Sequence, residues 1–286
     1  MKNVARLLGV CLILVIISLF AIKGWNSYFA ASSATNADSS SNTAETETAK
    51  YSVDNTALGD IQEIINKYSN TMDISISVTD LQTGKSYHYG DTSSFTAASV
   101  GKLVTVATFL HEVDNGSATL DQNVGGTTAK EEIRAMLVDS DNTAWHNMEM
   151  AVTLDAQQAY AQTIGLTAYN ADDNTMSSDD VAKLLTKLAE GKLFADQYTQ
   201  LMLGYMQQAN YRGYIVAAVP DSVTVYHKVG LLEDRVHDAA IIKKGDRSYA
   251  LVIFSKTGGA YDFSKAAPLF SSITKDTLQA FFGSSN

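Results

Sequence analysis

The amino-acid sequence predicts an α/β fold of the α+β type, in which an antiparallel sheet with flanking helices forms from both ends of the chain and carries an inserted all-helical lobe. The main observation is the order in which the apolar periodicity changes: helix, two strands, a helical block, three strands, helix. The composition, with 45% apolar and 18% charged residues, is ordinary for a globular protein. Because no internal repeat or second linker interrupts the pattern, one folded domain is predicted over residues 51–286.

The predicted sheet and its covering helices lie near the two ends of this domain. Apolar residues recur at helical spacing from Leu58 to Tyr68 and again from Phe263 to Phe282. Asp80–Gly84 is typical of a turn between the first two strands. The segments predicted as strands are Ile74–Val78, Lys85–Tyr89, Val223–Lys228, Ala239–Lys243 and Tyr249–Ser255.

The middle of the chain, from about Ser99 to Lys192, has a helical pattern. Its apolar spacing is clearest in Leu103–Val113, Ile133–Val138 and Val181–Leu188. The last of these runs follows Ser177–Asp180, which is typical of a capped helix start. Since clefts commonly form where two such lobes meet, a cleft is expected between the helical lobe and the sheet.

The N-terminal residues 1–31 have the pattern of an export signal. Lys2 and Arg6 precede an uninterrupted apolar run, Leu7–Ile22, which predicts either a cleaved signal peptide or an uncleaved membrane anchor. Residues 32–50 are small and polar and predict a flexible linker. The domain is therefore expected outside the cytoplasmic membrane, secreted or anchored at the surface of a bacterial envelope.

Charge and cysteine content exclude several kinds of function. The formal net charge of −10, without a basic stretch, argues against a nucleic-acid partner. The single cysteine, Cys11, lies in the N-terminal apolar run, so the exported part has no disulfide, thiol nucleophile or cysteine metal site. No cofactor and no metal is predicted, and the domain is expected to be a monomer.

Three short motifs carry the candidate chemistry. They are Ser99-Val100-Gly101-Lys102, Ser140-Asp141-Asn142 and Lys228-Val229-Gly230, and the last is placed at the end of a predicted strand. Ser272 begins a second S-x-x-K, but it lies in the final helix with nothing downstream to complete a site. Lys256 begins a better third motif by its letters, yet only Lys228 precedes two further strands and a helix, so Lys256 is interpreted as a chance copy.

The residue types in these motifs suit acyl transfer through a serine. A serine hydroxyl needs a base within hydrogen-bond reach, and Lys102 shares a helix face with Ser99 because the two are three residues apart. The helix N-terminus offers backbone N–H groups to an oxyanion. Ser140 is predicted to relay a proton to the leaving group. Asn142 is predicted to hold the substrate and Lys102, and Lys228 to attract a substrate carboxylate.

The trio resembles that of class A β-lactamases and serine penicillin-binding proteins. The resemblance extends over most of the domain, including the surroundings of the second and third motifs. It implies a five-stranded antiparallel sheet and an oxyanion hole formed by the backbone N–H groups of Ser99 and Leu231, next to Gly230. It also implies a peptidoglycan or other D-alanyl substrate, with β-lactams as acylating agents.

Two departures from the family pattern bear on activity. Class A enzymes carry an omega-loop glutamate that activates the deacylating water, whereas the short segment between Gly165 and Ser177 contains none. Asp172 and Asp173 are poor replacements because their side chains are shorter. Val229 stands where the family usually has Thr or Ser, which removes a hydroxyl donor to the substrate carboxylate.

Three hypotheses follow from these observations. The first is an acyl-serine enzyme that acts on D-alanyl peptides or esters and releases β-lactams slowly. The second is a functional β-lactamase with a surrogate deacylation base. The third is a catalytically silent wall-binding module that keeps the fold.

Overall fold

The structure is a computed structural model that describes residues 53–283. The predicted signal peptide or anchor (1–31) and the predicted linker (32–50) lie outside the described residues. Within the described range, no helix is both long and apolar enough to cross a membrane.

The element order agrees with the order predicted from the periodicity. The α-helices of the described residues are α1 (Asn55–Tyr68), α2 (Lys102–Asp114), α3 (Ala129–Arg134), α4 (Asn142–Val152), α5 (Leu154–Thr163), α6 (Ser178–Ala189), α7 (Asp196–Gln207) and α8 (Phe263–Phe282). The strands are β1 (Asp73–Asp80), β2 (Ser86–Gly90), β3 (Phe95–Thr96), β4 (Asn123–Val124), β5 (Thr127–Thr128), β6 (Thr175–Met176), β7 (Thr224–Leu232), β8 (Arg235–Lys244) and β9 (Arg247–Lys256).

The five long strands form one antiparallel sheet in the order β2-β1-β9-β8-β7, which confirms the predicted fold. The strands from the two ends of the chain meet where β1 pairs with β9, with Ile76 opposite Ile253. Strand β7 is therefore an edge strand, and β9 lies in the centre. This order places Lys228 on an edge strand and Lys256 at the end of the central strand.

Two apolar cores cover the two faces of the sheet. On one face, α1 and α8 bury residues such as Ile61 and Phe270 against the strands. On the other face, the helical lobe (residues 98–218) packs around α2, with Leu103 and Phe109 fully buried. Helix α2 is thus buried from Lys102 to Leu110, and close packing holds it in place.

One predicted element boundary is wrong, and one helix was not predicted. Lys228-Val229-Gly230 does not end its strand, because β7 continues to Leu232 and returns through Glu233 and Asp234 into β8. The apolar Leu231 and Leu232 extend the strand pattern past the motif. Helix α7 was not predicted, although its buried Met202 and Met206 have helical spacing.

Candidate active site

The nucleophile candidate Ser99 lies in a 3-10 turn, Ala98–Gly101, that leads directly into α2. The predicted helix therefore begins with a tighter turn, and Ser99 itself is half-buried. The preceding residue, Ala98, has a left-handed φ of 50°, which is uncommon for a residue with a Cβ. This backbone turns the chain sharply between β3 and α2 and places Ser99 at its corner.

The third motif supports this turn from the side of the sheet. A Cβ on Gly230 would lie 2.8 Å from Ala97 O and 3.2 Å from Ala98 Cβ. Only glycine lets β7 approach the Ser99 turn this closely without displacement. Leu231 follows at the next position of the same strand, so the predicted oxyanion-hole residues come from two adjoining segments.

Lys102 and Lys228 meet at the hydroxyl of Ser140. Lys228 Nζ donates to Ser140 Oγ at 2.8 Å, and Lys102 Nζ lies 3.4 Å from the same oxygen. Lys102 Nζ also donates to Ser140 O at 2.6 Å and to Asn142 Oδ1 at 2.7 Å. Within the described residues, Lys102 makes no hydrogen bond to Ser99. The structure thus brings four of the predicted site residues into one hydrogen-bonded group.

Burial lowers the pKa of both amines. The two lysines are 0% and 2% exposed. Desolvation lowers the pKa of Lys102 to about 8, and the negative charges of Asp141 and Glu149 oppose this shift. Desolvation, followed by the charge of Lys102, lowers the pKa of Lys228 to about 7, while Asp238 opposes the shift. Each amine is therefore able to give up or take up a proton near neutral pH.

The backbone of the second motif places Ser140 and Asn142 within hydrogen-bond distance of the lysines. A π-helical turn, Ala135–Asp139, ends in Ser140, whose left-handed φ of 59° reverses the chain. Asp141 caps α4 by accepting from Ala144 N at 2.8 Å.

Asn142 begins α4 and Trp145 lies one turn later, with its ring centroid 5.0 Å from Lys102 Nζ. The aromatic face stabilises the ammonium form of Lys102.

The copies of the motifs lie elsewhere. Lys256 Nζ is 3.8 Å from Asp73 Oδ2, in an exposed pair at the end of β9. Ser272 is exposed on α8, which covers the opposite face of the sheet. Both copies therefore lie away from the hydrogen-bonded group of Lys102, Ser140, Asn142 and Lys228.

The short loop between α5 and α6 contacts the turn that carries Ser99. Asn170 and Thr175 form an antiparallel bridge, so the loop is a small hairpin whose tip carries the exposed Asp172 and Asp173. Asn174, in the same hairpin, donates from Nδ2 to Ala98 O at 3.1 Å. Neither Asn174 nor Trp145 was predicted from the sequence. An asparagine and an aromatic residue are common in loops and helices, and only packing brings them to the Ser99–Lys102 turn.

The fold and the site define a serine hydrolase of the β-lactamase type. Residues 58–281 match the model of the beta-lactamase enzyme family, and the chain belongs to this family. No curated protein matches the chain.

Solved structures with a similar fold include β-lactamases and a protein described as PBP-A. The PBP-A structure has a TM-score of 0.72 at 21% identity, covering 79% of this chain and 95% of that chain. A β-lactamase from Sphaerobacter thermophilus has a TM-score of 0.72 at 19% identity, covering 80% of this chain and 98% of that chain. An ancestral class A β-lactamase has a TM-score of 0.72 at 19% identity, covering 77% of this chain and 100% of that chain. At these identities the likeness shows the fold.

Proposed function

We propose that the protein is an extracytoplasmic acyl-serine enzyme that forms an acyl-enzyme at Ser99 with D-alanyl peptides or esters and with β-lactams, and that it releases β-lactams slowly. The observation that carries this proposal is the hydrogen-bonded chain from the buried Lys102 through Ser140 to the buried Lys228, beside the Ser99 turn. The proposed location outside the cytoplasmic membrane rests on the N-terminal charged and apolar segments of the sequence.

In acylation one bond forms, one bond breaks, and one proton is in effect transferred from Ser99 to the leaving group. Ser99 Oγ attacks the carbonyl carbon of the substrate, and its proton passes to the neutral amine of Lys102. As the C–N or C–O bond to the leaving group breaks, Ser140 donates its hydroxyl proton to that group and is reprotonated from the lysine side. The backbone N–H groups of Ser99 and Leu231 stabilise the oxyanion, and the Lys228 ammonium attracts the substrate carboxylate.

Slow deacylation follows from the composition of the short loop. The carboxylates it offers, Asp172 and Asp173, are exposed at the hairpin tip. Losing a positioned general base typically removes about 10²–10⁴ in rate. A point mutant of the structurally similar PBP-A is described as an acyl-enzyme complex with penicillin G, which supports acylation by penicillins on this fold.

The test is to mix the full chain with penicillin G and follow its intact mass over time, with Ser99→Ala as the control. A lasting adduct that maps to Ser99 and is absent from the variant is the expected result. An adduct at another residue, or one that persists in the variant, would contradict the assignment of the nucleophile. Absence of any adduct or turnover with penicillin G and a D-alanyl ester would favour the silent wall-binding module.

One observation favours a functional β-lactamase as the second candidate. Glu149 lies on α4 on the same helical stripe as Asn142 and Trp145, is half-buried, and has its pKa raised by desolvation. Its charge acts on Lys102. Rapid loss of drug without a lasting adduct would support this candidate, and a Glu149→Gln variant that accumulates the adduct would identify Glu149 as the base.

A further inference from the structure

The Ser99 turn depends on an unfavourable backbone conformation. Ala98, immediately before Ser99, has a φ of 50° and is 4% exposed. A non-glycine residue in the left-handed region costs about 1–3 kcal/mol and persists only where surrounding contacts hold it. The contacts that hold Ala98 therefore determine where Ser99 points.

Asn174 makes two of these contacts, one on each side of the Ala97–Ala98 pair. Its carbonyl oxygen accepts from Ala97 N at 2.8 Å, and its side-chain Nδ2 donates to Ala98 O at 3.1 Å. Asn174 itself has a left-handed φ of 47°, a conformation that asparagine tolerates better than most residues. Two left-handed residues from separate segments, Ala98 and Asn174, are thus joined by a hydrogen bond next to Ser99, and a second hydrogen bond joins Asn174 to Ala97.

The first motif leaves room for this side chain. A Cβ on Gly101 would lie only 2.1 Å from Asn174 Oδ1. The carboxamide of Asn174 therefore lies directly against the Ser99–Lys102 turn, and the glycine of the S-x-x-K motif is required at that contact.

The loop that carries Asn174 is itself firmly held. Gln158 accepts from Ala171 N at 2.9 Å and donates to Tyr169 O at 3.1 Å. The buried Asp180 accepts from Ala168 N at 2.6 Å. Asn174 is consequently presented to Ala98 from a fixed frame rather than from a free loop.

We propose that Asn174 is a positioning residue, which holds the left-handed turn at Ala98 so that Ser99 Oγ faces Lys102 and the Ser99 N–H faces the cleft. This inference rests on the proposed function, because it concerns the orientation of the same nucleophile. Since misplacement of a reacting group by about 1 Å can cost on the order of 10²-fold in rate, the loss of this clamp should be visible in acylation.

The experiment compares Asn174→Gly with Asn170→Ala in the full chain. Glycine keeps the left-handed backbone and removes only the carboxamide. Asn170 is the matched control, since its Oδ1 accepts from Asp173 N at 3.0 Å within the same hairpin. The saturating acylation rate and the apparent dissociation constant are measured with penicillin G, and the reactivity of Ser99 with a fluorophosphonate probe. Urea unfolding shows how much each variant is destabilised.

The expected result is that Asn174→Gly lowers the saturating acylation rate by about 10–100-fold with little change in the apparent dissociation constant, while Asn170→Ala retains the wild-type rate. Gly101→Ala should reproduce the defect, and adding it to Asn174→Gly should cost less than it does alone, because the clash with Oδ1 is gone. A wild-type rate in Asn174→Gly, or an equal loss in Asn170→Ala, would overturn the proposal. A wild-type protein that reacts with neither probe would instead refute the proposed function, and the positioning role with it.

Discussion

Lys102 and Lys228 share one acceptor, Ser140 Oγ, so the protonation of one amine affects the other. Both are buried, and the positive charge of Lys102 contributes to the lowered pKa of Lys228. A positive charge on one amine disfavours a positive charge on the other, so the state with both amines protonated is destabilised. At least one of the two amines can therefore release its proton near neutral pH, as the proposed transfer of a proton from Ser99 to a leaving group requires.

The first residue-scale prediction concerns pH. With a pKa of about 8, Lys102 is a competent base only when neutral, so acylation by a carboxylate-free fluorophosphonate should rise with pH and level off above about pH 8. Asp141 raises this pKa, so Asp141→Asn should move the midpoint to lower pH. Asparagine remains a good N-cap, which preserves α4. A stopped-flow pH profile of both proteins checks this, and an unchanged midpoint would exclude Asp141 as a determinant.

The second residue-scale prediction concerns the hydroxyl between the two amines. Ser140→Gly removes Oγ and keeps the left-handed backbone, whose φ is 59°. Acylation by penicillin G should fall by about 10²-fold or more, because the leaving group loses its proton donor. Quenched-flow mass spectrometry measures the rate. Ser272→Gly, in the second S-x-x-K copy on α8, should acylate normally, and equal losses in both variants would contradict the relay.

At the scale of elements, the site depends on how closely β7 approaches the Ser99 turn. Lys228 and Gly230 are two residues apart on this edge strand, one reaching Ser140 and the other touching Ala97. Side chains alternate between the two faces of a strand, so residues two apart share a face. Strand β7 therefore positions its contact with Ser140 and its contact with the Ser99 turn together. The helical lobe and the sheet are thus in close contact at the proposed catalytic residues.

The prediction for this contact is that Gly230→Ala displaces the Ser99 turn. The added Cβ would lie 2.8 Å from Ala97 O, and relief of such overpacking costs roughly 1–3 kcal/mol. Urea unfolding should show this loss, and acylation should fall more than the loss of folded protein explains. Gly258→Ala provides the matched control, since its Cβ would meet no atom within 4 Å. Similar behaviour of the two variants would mean that the close approach does not matter.

At the scale of the whole molecule, a buried histidine joins the sheet to the strand that precedes the nucleophile. His237 on β8 lies 3.0 Å from Thr96 O through Nε2 and stacks on Phe254. Burial lowers its pKa from 6.5 to about 4, although the nearby Thr96 and Val236 carbonyls favour the charged form. The folded protein therefore holds this imidazole neutral at pH values where the unfolded chain protonates it.

This difference predicts acid sensitivity. Between pH 6.5 and about 4 the unfolded state binds more protons at His237, so stability falls as the pH falls through this window. The contribution is about 3 kcal/mol at its fullest. Urea unfolding at pH 7 and pH 4.5 should show a smaller loss for His237→Gln than for the wild-type protein. Parallel losses in the two proteins would show that other groups cause the acid sensitivity.

Much of this architecture was predictable from local patterns. The apolar spacing of α1, α8 and the sheet strands is a property of each segment, and the structure confirms their order. Lys228 could be preferred to Lys256 because two strands and a helix had to follow the third motif. The end of β7 was misplaced because Val229, Leu231 and Leu232 continue an apolar pattern that the motif interrupts only at Gly230.

By itself, the sequence determined the fold class, the order of the elements, and the three motifs that carry the proposed nucleophile, the proposed relay and the proposed carboxylate-binding lysine. These properties depend on residue type and spacing along the chain. Only the tertiary structure decided that both lysines contact Ser140, and that Asn174 forms hydrogen bonds to the turn before Ser99. Such contacts join residues up to 88 positions apart. They arise from sheet order, loop length and close packing, which no local pattern records.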